Sequence, residues 1–159
     1  MSQITFNAEA VLAAQAEAVY RSIADYYNGQ PHIVPKANIS EIQVQAGGYG
    51  AGTVVTFKRK LLFFGRLKRK TIVEPDPGRL LVELEEVAGS APIMTSYRVI
   101  PVSKGRETYV EIITSIPHRK GFGGLMDRLF LPKRLRKMHY KELYLLEQHA
   151  KNIRIELAA

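Results

Sequence analysis

Cysteine is absent from this 159-residue chain, so disulfide bonds and thiolate chemistry are both excluded. A small secreted scaffold stapled by disulfides is excluded with them. No apolar run approaches the roughly 18 residues that mark a membrane-spanning helix. The first residues, Met1-Ser2-Gln3-Ile4-Thr5-Phe6, lack the basic start and apolar stretch of a signal peptide. Internal repeats, low-complexity tracts and linkers are missing too. One domain over residues 1–159 is therefore expected, in the cytoplasm, with a peripheral association to a membrane left open. Catalytic signatures are equally scarce. The four histidines, His32, His118, His139 and His149, show no metal-ligand spacing. Gly48-x-Gly50 lacks the third glycine of a dinucleotide fingerprint and no strand–helix–strand unit surrounds it. There is no P-loop, and neither Ser22 nor Ser96 sits in a nucleophile elbow. No cofactor and no metal are expected.

What is present is an ordinary globular composition, 46% apolar and 24% charged, in a chain long enough to bury a core. The net charge of +8 is unevenly spread. Residues 58–70 hold seven Lys/Arg and no acid, and residues 119–141 hold eight Lys/Arg against Asp127 alone. The rest of the chain is slightly acidic. Basic blocks of this kind favour phosphates, anionic lipid heads or an acidic partner. A solvated face that keeps the protein soluble is the competing reading, and composition does not choose between them.

The periodicity falls into an order. Phe6 to Leu12 alternates as a first strand. Strong helix formers follow from Ala13, with Val19, Tyr20, Ile23 and Tyr27 on one apolar face, and Asn28-Gly29 is read as the stop. Pro31 and Pro35 bracket a short turn-like stretch. Strands are expected at 39–44, 53–57, 66–73, 80–84, 93–99 and 110–116, rich in β-branched residues. The glycine-rich turn 47–52, the Pro-Gly turn 74–78 and the hairpin at Ser103-Lys104-Gly105 separate several of them. In the fifth strand the apolar parity is carried by Leu80, Val82 and Leu84. After Pro117 the spacing turns helical, through Phe122, Leu125, Met126, Leu129, Phe130, Leu135, Met138, Leu145 or Leu146, His149 and Ile153. Pro132 is expected to break or kink this helix, or to open its main part. Hairpin-connected strands with separate helices indicate an α+β fold.

This order carries local signatures in sequence. They are Val19-Tyr20-Arg21-Ser22-Ile23-Ala24-Asp25-Tyr26 with His32-Ile33-Val34-Pro35, then Gly48-Tyr49-Gly50-Ala51-Gly52-Thr53. Val73-Glu74-Pro75-Asp76-Pro77-Gly78-Arg79-Leu80-Leu81-Val82-Glu83 follows, and Leu129-Phe130-Leu131-Pro132-Lys133-Arg134-Leu135 with Lys141-Glu142-Leu143 closes the series. Together they resemble the START-like (SRPBCC) superfamily, of the polyketide cyclase/dehydrase type, over nearly the whole chain. The resemblance implies a helix-grip fold. A curved antiparallel sheet of about seven strands would wrap a long C-terminal helix, with two short helices after the first strand. It also implies a hydrophobic ligand, a lipid or an aromatic polyketide-like compound, in a mostly apolar internal cavity. It does not imply one reaction, because members of the superfamily include carriers, cyclases and hydrolases.

Strand parity and helix face nominate Tyr26, His32, Thr95, Tyr97, Thr114, Met138 and His149 as cavity residues. A few polar groups in an apolar pocket orient a ligand or place an acid–base group, and the same groups also serve simply to satisfy a core. If the ligand is transformed, Tyr97 or His32 is the candidate for moving protons. The segment Lys58-Arg59-Lys60-Leu61-Leu62-Phe63-Phe64-Gly65-Arg66-Leu67-Lys68-Arg69-Lys70 places four large apolar residues between basic clusters. As a hairpin tip with Lys58, Arg59, Lys60, Arg66, Lys68, Arg69 and Lys70 around Phe63 and Phe64, it suits an anionic membrane surface. Equally, the tip folds back to close the cavity. Nucleic acid is disfavoured, for no recognisable binding module surrounds the basic blocks. The oligomeric state is not legible.

Overall fold

The alternation that opens the chain becomes β1 (Gln3–Leu12), and α1 (Ala16–Ala24) and α2 (Gln30–Ile33) follow it. The computed structural model describes residues 3–59, 66–87, 89, 91–118 and 121–158. Six further strands come next: β2 (Ile39–Ala46), β3 (Val54–Arg59), β4 (Arg66–Asp76), β5 (Leu80–Glu85), β6 (Ile93–Val102) and β7 (Glu107–Pro117). A 38-residue helix, α3 (Gly121–Ala158), closes the order. The strands form one open antiparallel sheet in the order β1-β7-β6-β5-β4-β3-β2. α3 packs on β1, α1 and α2. This is the α+β helix-grip arrangement expected from the sequence.

Two apolar clusters fill the space between sheet and helix. The larger joins Val19 and Ile23 of α1 to Phe57, Ile72, Leu81 and Ile112 of the sheet and to Leu143, Leu146 and Ala150 of α3. The smaller joins Ile93 and Ile116 to Leu131, Leu135 and Met138. The buried α3 residues recur every three or four positions, the stripe a helix presents to one neighbour.

Two local expectations change, and the inward face of β5, left unassigned by the sequence, is a third finding. α1 ends at Ala24 rather than at Asn28-Gly29, because Asp25 leaves the helical region (φ −89°, ψ 104°). Its carboxylate then accepts the backbone N–H groups of Tyr27 and Asn28. The glycine-rich turn docks onto that end. Gly50 N–H donates to Ala24 O, and Tyr26 N–H donates to Gly48 O. A side chain at Gly50 (φ +62°) would meet the Glu74 carboxylate at 2.2 Å, so glycine serves close approach here as well as turning. Second, α3 runs through Pro132 as one helix. The proline removes one backbone donor, but Leu131 and Leu135 on either side are buried and hold the helix to the sheet. Third, the buried parity of β5 is Leu81, Glu83 and Glu85, while Leu80, Val82 and Leu84 are half-buried on the opposite face.

Candidate functional site

The buried parity of β5 brings two carboxylates inside. β4 and β5 pair so that Lys70 lies opposite Glu85 and Ile72 opposite Glu83. Lys70 Nζ donates diagonally to Glu83 Oε2 at 2.6 Å, and Tyr26 OH donates to Glu83 Oε1 at 2.5 Å. Arg59, on β3, reaches across β4 to Glu85. Its Nε donates to Oε1 at 3.0 Å, and Nη2 stands 2.9 Å from Oε2 without hydrogen-bond alignment. Arg59, Lys70, Glu83 and Glu85 are all buried. The two cations also lie over the Phe57 ring, at 5.6 Å for Arg59 and 5.0 Å for Lys70. That contact suits desolvated cations with little water left to solvate them.

A second set joins the sheet to α3. Tyr97 OH donates to Glu142 Oε1 at 2.6 Å. Glu142 Oε2 lies 3.6 Å from His139 Nδ1, one helical turn away. His139 Nε2 is 2.9 Å from Thr114 Oγ1, which is 3.1 Å from Thr95 Oγ1 across the β6–β7 pair. His139 is buried, and its Nδ1 has no hydrogen-bond partner among the described residues. These polar groups are buried alongside the two apolar clusters, where an unpaired charge would not persist. Carboxylates withdrawn from water persist when cations and hydroxyls satisfy them.

The two phenols have a fixed role. Burial first, then Glu83 by charge and by hydrogen bond, pushes Tyr26 well above the usual phenol range. Burial, then the charges of Glu142 and Glu83, does the same to Tyr97. Both therefore remain hydrogen-bond donors at neutral pH and do not act as bases. Among the described residues, no cluster of His, Asp and Glu could hold a metal ion.

Outside this interior, a cleft of about 1020 Å³ opens between α3 and the segment running from α2 to β2. Its apolar lining includes Val34, Pro35, Met138 and Leu145. Lys36, Arg134, Lys137 and Lys141 line it as well. His32 stands at its edge and stacks on His149, with ring centroids 4.9 Å apart and planes 10° from parallel. Both histidines also border a neighbouring recess of about 600 Å³ with Arg21, Asp25 and Asn152.

The nominated residues thus separate into two places. Tyr26, Thr95, Tyr97 and Thr114 converge on the interior network. His32, Met138 and His149 border the recesses beside α2 and α3, and Met138 belongs both to the smaller core cluster and to the cleft. The inward histidine is His139, not His149, which is half-buried against His32. Sequence reading missed Glu83, Glu85, His139 and Glu142. The hairpin residues divide too. Arg59 and Lys70 are interior ion-pair partners rather than surface charges. Lys58 is partly exposed and pairs with Glu41 at 3.0 Å, and Arg69 is exposed. Arg66 and Lys68 lie on β4, while Lys60, Phe63 and Phe64 lie outside the described residues. No helix among the described residues is long and apolar enough to cross a membrane.

No family model and no curated protein matches the sequence. Solved structures do match. KanY is similar with a TM-score of 0.74 and 27% identity, over 95% of this chain and 99% of that one. The ZhuI aromatase/cyclase of a Streptomyces species matches with a TM-score of 0.75 and 14% identity over 94% of each chain. Norcoclaurine synthase from Thalictrum flavum, solved with dopamine and hydroxybenzaldehyde, matches with a TM-score of 0.64 and 16% identity, over 93% of this chain and 88% of that one. The chain therefore has the helix-grip fold that these proteins share.

Proposed function

We propose that this protein binds a small molecule with a substantial apolar body, as a carrier or receptor for it. One observation carries the reading: the cleft of about 1020 Å³ whose apolar side is made by Val34, Pro35, Met138 and Leu145. Its size lies at the upper end of small-molecule sites. The shared fold with an aromatase/cyclase and a synthase supports it only as analogy. The direct test is titration with the neutral fluorescent probe N-phenyl-1-naphthylamine, together with native mass spectrometry of the purified protein. Saturable probe binding that Leu145→Glu weakens severalfold is expected, because a carboxylate there removes apolar contact from the cleft wall without entering the core. No binding by the probe and no co-purifying compound would sink the reading.

A second reading is favoured by the buried Tyr97–Glu142–His139–Thr114 chain. In it the protein is an enzyme of the cyclase or dehydratase kind, with Tyr97 donating a hydrogen bond and His139 exchanging the proton. Turnover of a bound ligand should then follow a pH profile that His139→Gln erases. An identical profile in that variant removes His139 from the chemistry. The membrane-surface reading draws no support from the geometry of Arg59 and Lys70, which spend their charge inside.

A further inference from the structure

The cleft that carries the proposed function has a charged side that an apolar ligand alone does not use. Arg134, Lys137 and Lys141 occupy successive turns of α3 and line one wall, while Lys36, on the segment after α2, lines the other. Among the described residues, no acidic side chain lines the cleft. Among the described residues, none of these four cations forms an ion pair, although Lys141 Nζ lies 5.2 Å from the Tyr144 ring centroid. Like charges three and four residues apart on a helix repel one another. Several other cations of this chain are neutralised by carboxylates, as at Glu41 for Lys58, Glu83 for Lys70 and Glu147 for Lys151. Those at the cleft are not. The uncompensated positive field is concentrated where Met138, Leu145 and Val34 offer apolar contact.

We infer that the ligand is an amphipathic anion, with its apolar body against Met138 and Leu145 and a carboxylate, sulfonate or phosphate group held between Lys36 and the Arg134–Lys137–Lys141 stripe. The inference rests on the small-molecule reading and refines its ligand class. An anionic group bound there gains charge-assisted hydrogen bonds from both walls and relieves the repulsion along α3. Nothing covalent is required. All four cations are exposed, so their removal leaves the buried core untouched.

The test compares two probes of nearly the same shape, 8-anilinonaphthalene-1-sulfonate and the neutral N-phenyl-1-naphthylamine, on the full chain. The sulfonate is expected to bind about tenfold more tightly at low salt, and the preference should shrink severalfold between about 20 mM and about 500 mM NaCl. Lys137→Gln/Lys141→Gln is expected to remove most of that preference, lowering the sulfonate's affinity much more than the neutral probe's. Displacement of the sulfonate by dodecanoate, but not by inorganic phosphate at equal concentration, would show that body and charge are both required. Equal affinity for the two probes, or a sulfonate preference that survives the double substitution, overturns the anion inference while leaving the small-molecule reading intact. Displacement by inorganic phosphate alone overturns it too, because the site is then a plain anion site. Binding of neither probe defeats both readings together.

Discussion

Lys70 and Glu83 form the most consequential side-chain pair in the interior. Both are buried, and Glu83 accepts from two donors, Lys70 and Tyr26. Removing one member of such a pair strands the other charge in a poorly solvated place, which costs about 3–5 kcal/mol. Lys70→Met is therefore expected to lower stability by that order, read by urea denaturation. Adding Glu83→Leu should recover a good part of the loss, because an apolar pair needs no charge compensation. If the double variant is as unstable as the sum of the two single ones, the pair is not coupled and the argument fails. The same residues show where sequence reading stopped. Leu80, Val82 and Leu84 alternate cleanly, and the sequence leaves the inward face of their strand unassigned. The decisive fact, that Lys70 and Arg59 wait on neighbouring strands to neutralise Glu83 and Glu85, belongs to the register. Counting back from the Asp76–Leu80 pair without a bulge places Lys70 opposite Glu86; the irregularity between Val73 and Asp76 moves the register by one residue and puts Glu85 there, a shift that strand periodicity does not reveal.

At the scale of elements, strand order and helix placement were legible because period two and period three to four persist over long stretches. Ends were less so. α1 stops four residues early because a distant loop competes for its last turn: Gly50 N–H takes the Ala24 carbonyl. That competition predicts a large effect at a loop glycine. Gly50→Ala would put a methyl group against Glu74, which accepts from Tyr20 OH and Ala51 N–H, at a left-handed φ of +62°. A loss of about 1–3 kcal/mol is expected, with Gly52→Ala, where φ is +84° but the space is open, costing less. Equal losses in the two variants would mean that backbone strain alone, not the Glu74 contact, sets the cost. Pro132 offers the converse case. The helix continues through it despite the missing donor, so Pro132→Ala restores a backbone hydrogen bond. It should stabilise the protein by on the order of 1 kcal/mol, well under the full propensity difference because the neighbouring turns have already adapted. A fall in thermal midpoint would show that the proline shape is itself required against the sheet.

For the molecule as a whole, the interior network predicts a limit on the alkaline side. Tyr26 and Tyr97 titrate well above an ordinary phenol in the folded protein, through burial and through Glu83 and Glu142. In the unfolded chain they titrate near pH 10. The folded state thus holds these protons more tightly than the unfolded state does. The stability this contributes is fully present below about pH 10 and is lost as pH rises from there towards the folded values, at about 1.4 kcal/mol per pH unit for each phenol. Between about pH 10 and about pH 11.5, urea unfolding free energy should therefore fall steeply with pH. The informative quantity is the difference between variants. Tyr97→Phe and Tyr26→Phe should each be less stable than wild type at pH 7, by about 1–3 kcal/mol, because a buried carboxylate loses a donor. Each should also have an alkaline slope shallower by about 1.4 kcal/mol per pH unit, so the variants and the wild type converge as pH rises. Parallel slopes would mean that the two phenols ionise as easily folded as unfolded. The interior would then be wet enough to solvate a phenolate, and the dry, paired network alongside the two apolar clusters would have to be abandoned.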